Sequence, residues 1–113
     1  IETAQAYAQG GDFDRAMRYN SLAPHSKEKY QQRLSILLQR GDYEIIPALI
    51  FSLNRYGLTK DEHIRYGMAY ASFQNESYVE ARQWLDGISD PHVFRQAISL
   101  RKAISNCENG ECR

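Results

Sequence analysis

The sequence predicts an all-α fold built from short helices in antiparallel pairs. Helix-forming residues such as Ala, Gln, Glu, Leu and Arg dominate the 113 residues, and only three prolines and seven glycines interrupt them. Between residues 26 and 39 the apolar positions recur at steps of three and four, at Tyr30, Leu34, Leu37 and Leu38. This spacing places them on one helix face, because the side chains of a strand would alternate every second residue.

Cap residues mark where three of the predicted helices begin. Asp90 is a favoured cap, and Pro91 after it is tolerated at the first helical position, where its missing N–H would have no partner. The segments Thr59 to Glu62 and Ser77 to Glu80 both read Ser or Thr, two residues, then Glu. In this capping box a hydroxyl and a carboxylate satisfy each other's backbone amides at a helix start.

Glycines mark where the helices end, because glycine takes the positive φ angle that is favoured just beyond a helix. Turns are expected at Gly10 with Gly11, at Gly41 and at Gly57. Together these signals predict seven helices, over residues 2–9, 13–22, 26–39, 43–55, 60–73, 78–88 and 91–106.

The turns recur at nearly constant intervals. Turn elements that start at positions 11, 41, 76 and 110 are followed by Phe13, Tyr43, Tyr78 and Cys112, at spacings of 30, 35 and 34 residues. A period near 34 residues indicates a repeated helical hairpin. Neighbouring hairpins are expected to stack, because one hairpin cannot bury its own apolar face.

At these positions the chain resembles the tetratricopeptide repeat family. That family's motif has Leu-Gly and Tyr on the first helix, Gly-Asp-Tyr at the turn, and a small residue three positions on. The matching residues are Tyr7, Gly11, Asp12, Phe13 and Ala16, then Tyr30, Leu37, Gly41, Asp42 and Tyr43, then Tyr66, Gly67, Tyr70, Tyr78, Ala81, Leu85 and Pro91. The second repeat departs from the motif, with Leu34 and Ile46 at small positions and Arg33 at an apolar one.

The resemblance implies antiparallel hairpins stacked as a right-handed superhelical solenoid. The repeats would cover about residues 1–24, 25–58 and 59–90, with a partial fourth repeat over 91–113. Since the first and fourth repeats are incomplete, we expect residues 1–113 to be a single segment of a longer array.

In this family the first helices of the hairpins line a concave groove that binds partner proteins. Carried over by position, the groove-lining residues are Gln5, Ala8, Gln9, Glu28, Gln31, Ser35, Gln39, Asp61, Ile64, Met68 and Ser72. The resemblance therefore implies a mixed polar surface for a protein partner.

Composition argues against several other classes of function. Fourteen basic residues balance fourteen acidic ones, which disfavours a nucleic-acid partner. The longest apolar run, Ile45 to Leu53, is far shorter than the roughly 20 residues of a membrane-spanning helix. The histidines, His25, His63 and His92, lie too far apart in sequence for a two-histidine metal motif, and no catalytic or cofactor-binding motif occurs. We therefore expect no enzyme activity, no metal and no cofactor.

The two cysteines flank a predicted turn. Asn109-Gly110 favours a tight reversal between Cys107 and Cys112 that can bring the sulfur atoms together. A disulfide would place the protein in an oxidising compartment such as a periplasm, whereas two reduced cysteines packed between helices would also be compatible with a cytoplasmic location.

The function expected from these features is a non-catalytic protein-interaction scaffold. In general character the chain is also similar to the periplasmic repeat arrays of Gram-negative, Pel-type exopolysaccharide export proteins. That resemblance implies a partner such as a polysaccharide-modifying enzyme, held near the export pore of the outer membrane. Two alternatives stay open: a domain that binds the polysaccharide itself through residues such as Tyr19 and Tyr56, and a cytoplasmic adaptor.

Overall fold

A computed structural model of the chain describes residues 2–112 and confirms the predicted all-α fold. Within these residues there are seven α-helices and no β-strand. The helices are α1 (Glu2–Gln9), α2 (Phe13–Leu22), α3 (Lys27–Arg40), α4 (Ile50–Arg55), α5 (Glu62–Gln74), α6 (Tyr78–Leu85) and α7 (Pro91–Glu108), and two 3₁₀ segments cover Tyr43–Leu49 and Leu58–Lys60. Most predicted helices lie within one or two residues of these bounds.

The described residues form two compact units. The N-terminal unit extends to Leu58, and the C-terminal unit begins at Thr59. This boundary coincides with the one predicted between the second and third repeats.

Small residues let the helices of the N-terminal unit approach closely. Ala16 on α2 is completely buried and forms a core cluster with Ala8 on α1 and Ile36 on α3. Phe13 and Met17 pack against this cluster from α2. Because Ala16 on α2 clusters with a residue of α1 and a residue of α3, α2 joins these two helices to a common core.

The core cluster of the C-terminal unit is formed by α5, α6, α7 and the turn after α6. Its buried cluster contains eight residues, Ala69, Ala81, Leu85, Ile88, Val93, Ala97, Leu100 and Ile104. Five aromatic side chains pack against it, Tyr66, Tyr70, Phe73, Tyr78 and Trp84. Most aromatic residues of this unit therefore serve packing.

Four turns with one backbone geometry recur along the chain. The turn residues Gly11, Gly41, Glu76 and Gly110 have φ angles of 84°, 82°, 61° and 79°. In each turn this residue donates its N–H to the carbonyl three residues earlier, and the next residue donates to the carbonyl five residues before itself. This pair of bonds is the Schellman motif, which satisfies the last carbonyls of a helix. The turns predicted from spacing thus share a single geometry.

The fourth predicted helix differs from the structure in helix type, and the fifth differs in its start. The segment Tyr43–Arg55 is a 3₁₀ segment followed by α4, because Pro47 lacks the N–H that a continuous α-helix needs there. The capping box at Thr59 does not form, and α5 instead begins after Asp61. Asp61 Oδ1 accepts hydrogen bonds from the backbone N–H groups of His63 and Ile64, at 2.8 and 3.3 Å.

The cap at Asp90 forms as predicted. Its Oδ1 accepts from the backbone N–H groups of His92 and Val93, at 3.0 and 3.2 Å, with Pro91 in the first turn of α7. Ser77 does precede α6, but its side chain accepts no cap hydrogen bond, so this predicted capping box also does not form.

Candidate binding groove

The N-terminal unit contains an open cavity of about 400 Å³ between faces of α1 and α3. Nine residues line it, Gln5, Ala8, Gln9, Glu28, Gln31, Gln32, Ser35, Ile36 and Gln39. All the groove candidates predicted in the first two repeats are among them. We call this cavity the glutamine groove.

Helical spacing explains why these side chains converge. On α1, Gln5 and Gln9 are four residues apart and therefore lie on the same face of the helix. On α3, Gln31, Ser35 and Gln39 follow at successive steps of four. Each helix thus presents a row of polar side chains to the cavity, and α2 supports both helices from behind.

The floor of the groove is apolar and belongs to the core. Ala8 is 8% exposed and Ile36 is 1% exposed, and both belong to the cluster that contains Ala16. Because Ala8 is small, it leaves space above the floor.

Neutral amides dominate the walls. Five of the nine lining residues are glutamines, and each amide offers N–H donors as well as a carbonyl acceptor. Gln39 donates from Nε2 to Oγ of Ser35 at 3.0 Å, and Gln32 accepts at Oε1 from Nδ2 of Asn20 at 3.0 Å. Among the nine residues Glu28 alone carries an ionisable side chain, and none is aromatic.

The positional prediction missed Gln32 and Ile36. Both lie on the i, i+4 row that starts at Glu28, so the sequence contained a signal for them. Ile36 was not predicted as a groove residue because an apolar side chain fits the core equally well. In the structure it belongs to both the core cluster and the groove floor.

The candidates of the third repeat lie elsewhere, on α5 and its cap in the C-terminal unit. Ile64, Met68 and Ser72 are 8%, 3% and 8% exposed, so they offer little surface to a partner. The carboxylate of Asp61 is engaged in capping α5. None of these four residues lines the glutamine groove.

The cysteines form a disulfide across the turn that follows α7. Cys107 lies in the last turn of the helix and Cys112 beyond it, with Cα atoms 4.0 Å apart. Gly110 lies between them in the predicted tight reversal and has a φ angle of 79°.

Titratable groups in the described residues form no metal-binding cluster of three or more His, Cys, Asp or Glu side chains.

Burial raises the pKa of Tyr66 above its ordinary value of 10.0, and the nearby Tyr70 adds to the effect. The same part of the chain contains no helix that is both long and apolar enough to span a bilayer.

Comparison of the chain with protein-family models, curated proteins and solved structures finds no match. The fold and the groove define the class only as a helical protein of two compact units with a polar cavity. The tetratricopeptide and exopolysaccharide-export resemblances accordingly stay predictions.

Proposed function

We propose that this chain is a non-catalytic interaction scaffold whose glutamine groove binds an extended peptide segment of a partner protein. The observation that carries the proposal is the convergence of five glutamine amides from α1 and α3 on one cavity. Amides pair with peptide N–H and C=O groups without requiring a charged ligand.

The spacing of the amides matches an extended chain. Side chains four residues apart on a helix are separated by about 6 Å along its axis. Alternate peptide groups of an extended strand repeat at about 6.7 Å. Gln5 and Gln9 on one wall therefore supply partners about one peptide repeat apart. On the other wall Gln31 and Gln39 are eight residues apart, about 12 Å along the axis, which is close to two such repeats. Glu28 favours a Lys or Arg side chain at its end of the groove, because it is the sole carboxylate of the lining.

Direct polysaccharide binding is the second candidate. Aromatic rings are the side chains that sugars commonly stack on, and the nine lining residues contain none. Tyr19, proposed above for this role, is 40% exposed, but its ring stacks on Tyr7 with centroids 5.4 Å apart. Tyr56 stacks in the same way on Tyr30, at 5.6 Å. These pairings favour a peptide ligand over a sugar.

The repeat architecture, the cellular compartment and the export pathway are also parts of this proposal. The four Schellman turns support the proposal of a repeated hairpin, which we propose stacks as a right-handed solenoid of the tetratricopeptide type. The Cys107–Cys112 disulfide supports an oxidising compartment such as the periplasm over the cytoplasm. There the groove would position a partner, such as a polysaccharide-modifying enzyme, for exopolysaccharide modification and export across the outer membrane.

Peptide selection followed by calorimetry tests the groove. Binders selected from a displayed library of random peptides would be resynthesised with N-methylated main-chain amides, which removes N–H donors and keeps every side chain. We expect N-methylation to abolish binding and most single side-chain changes to be tolerated. Replacing Gln9 and Gln31 with alanine together should weaken binding about tenfold or more, since hydrogen bonds each contribute about 1 kcal/mol.

The matched control is Gln74→Ala with Gln83→Ala, because both glutamines are exposed and lie outside the groove. This control should bind like the wild type. Equal losses in the control and groove variants would contradict the proposal. Tight binding of an oligosaccharide that is lost on Tyr19→Ala or Tyr56→Ala would favour the polysaccharide alternative instead.

A further inference from the structure

The four Schellman turns differ in the pair of side chains that spans them. In each pair, one residue lies three positions before the positive-φ residue and the other lies two positions after it. The pairs are Ala8 with Phe13, Leu38 with Tyr43, Phe73 with Tyr78, and Cys107 with Cys112. Three turns thus place apolar side chains where the fourth has a disulfide.

One of the apolar pairs is in direct contact across its turn, and a second lies within a single core cluster. The rings of Phe73 and Tyr78 have centroids 6.0 Å apart. Phe13 packs against the cluster that contains Ala8. The Cys107–Cys112 bond therefore takes the place of an apolar contact across the turn.

The backbone of the turn does not depend on a covalent bond. Gly110 donates to the carbonyl of Cys107 at 3.1 Å, and Glu111 donates to that of Asn106 at 2.7 Å. The corresponding two bonds form in the other three turns, which have no disulfide. The bond is thus an addition to a turn that can form without it.

The disulfide is also accessible and lies outside the core of its unit. Cys112 is exposed and Cys107 is partly exposed. Neither belongs to the eight-residue cluster that α5, α6 and α7 bury. The last turn of α7 is held separately, because Arg82 donates hydrogen bonds to Ser105 and Glu108.

We propose that the Cys107–Cys112 bridge is a thiol–disulfide exchange site, opened by a dithiol and closed by a disulfide partner, and that its opening releases only the turn after α7. A thiolate attacks Sγ of Cys112, the more exposed of the two cysteines, the bond between the two cysteines breaks, and Cys107 leaves as a thiolate that takes up a proton. The second thiol of the reagent then attacks its own bridged sulfur and releases Cys112. Two electrons pass from the dithiol, which becomes a cyclic disulfide, to the protein.

The released turn loses its side-chain link. Two thiols are too small to reproduce the ring contact of Phe73 and Tyr78, so the hydrogen bonds of Gly110 and Glu111 then stand alone. The helices keep their packing because their core cluster contains neither cysteine. The site therefore links the redox state of the surroundings to the order of one turn.

Dithiothreitol treatment of the native protein tests the proposal. Alkylation without denaturant should label two thiols per chain after treatment and none before. Amide hydrogen exchange at Gly110 and Glu111 should accelerate by roughly thirtyfold, the factor that corresponds to loop-closure entropy for so short a ring. Exchange at Met68, in the middle of α5, should not change.

Two double variants sharpen the test. Cys107→Phe with Cys112→Tyr copies the pair of the third turn and should show slow exchange at Gly110 with and without dithiothreitol. Cys107→Ser with Cys112→Ser mimics the open state and should show fast exchange in both conditions. The proposal is overturned if native protein yields no alkylated thiols, if exchange at Gly110 is the same in both redox states, or if reduction also removes protection at Met68.

Discussion

Nε of Arg33 donates a hydrogen bond of 2.9 Å to Oδ1 of Asn20, a side chain with no exposed surface. Asn20 in turn donates from Nδ2 to the backbone carbonyl of Lys29 and to Oε1 of Gln32, at 2.9 and 3.0 Å. Both hydrogens and the oxygen of this amide are thereby satisfied. A polar network thus links α2 to α3, and it includes Arg33, a charged residue where the tetratricopeptide motif has an apolar one.

Replacing Asn20 with alanine should lower the free energy of unfolding by about 2 kcal/mol, since the change leaves partly buried partners without hydrogen bonds. Urea unfolding followed by circular dichroism measures this loss. Ser21→Ala is the matched control, because Ser21 also contacts Arg33 but is exposed. Its loss should be at most about 0.5 kcal/mol.

The replacement Arg33→Leu distinguishes a polar network from simple packing. It introduces the apolar residue type that the tetratricopeptide motif has at this position, yet it leaves Oδ1 of Asn20 buried without its donor. We expect it to destabilise the protein by about 1 to 2 kcal/mol. A variant more stable than the wild type would show that the network is dispensable.

Glu76 occupies the turn position that glycine holds in the other three Schellman turns. Its φ angle of 61° is unfavourable for a residue with a Cβ atom. Glu76→Gly should therefore raise the free energy of unfolding, by up to about 1 kcal/mol. Thermal and urea unfolding would both detect this gain.

The reverse change, Gly41→Ala, is the natural comparison. Gly41 has a φ angle of 82°, and an added Cβ would meet no atom closer than 4.0 Å. Its cost of about 1 kcal/mol would come from the backbone angle alone. If both substitutions changed stability in the same direction, backbone strain would not be the cause.

The raised pKa of Tyr66 leads us to expect that the free energy of unfolding falls at alkaline pH. Burial, reinforced by Tyr70, raises its pKa in the folded state above the 10.0 of an unperturbed tyrosine. The neutral form is therefore favoured by folding, and its contribution is complete below the unfolded pKa. It declines as pH rises through the higher folded pKa.

Urea unfolding of the wild type and Tyr66→Phe between about pH 8 and pH 11 measures this effect. The wild type should lose more stability over this range than the variant, which has no hydroxyl to ionise at position 66. The difference between the two proteins at pH 8 provides the reference for loss of the hydroxyl itself. Parallel profiles would argue against a raised pKa.

Local signals in the sequence predict most of the fold. The features that were not predicted depend on contacts between residues far apart in the sequence. Helix ends near Gly11 and Gly41 and the cap at Asp90 depend on neighbouring residues alone, so composition and spacing identify them. The convergence on the glutamine groove follows from i, i+4 steps once the helices are placed. Asn20 is different, because a polar residue looks exposed until its partners nine to thirteen residues away are known.

Burial on α5 could not be predicted by position in a repeat. Ile64 and Met68 were assigned to an open groove, but an apolar side chain at such a position serves the core equally well, and the structure buries both. Turn spacing aligned Glu76 with the glycines of the other three turns, but its positive φ angle could not be predicted, because the turn sets this angle and a glutamate gives no sign of it.

Glu62 illustrates a misassigned role that can be tested directly. The sequence places it in a capping box with Thr59, but its Oε1 accepts from the backbone N–H groups of Ser89 and Asp90, at 3.0 and 2.8 Å. Its Oε2 accepts from Oγ of Ser89 at 3.2 Å. Glu62 thereby ties the start of α5 to the cap residue of α7.

Glu62→Ala should lower the free energy of unfolding by about 1 to 2 kcal/mol, because hydrogen bonds to a charged group are stronger than neutral ones. Glu62→Gln keeps one acceptor oxygen and should lose about half as much. Glu80→Ala, an exposed glutamate at the start of α6, should change stability by at most about 0.5 kcal/mol. Amide exchange at His92 and Val93 should also accelerate in Glu62→Ala if Glu62 orients the Asp90 cap, and unchanged exchange at both amides would limit its role to the Ser89 segment.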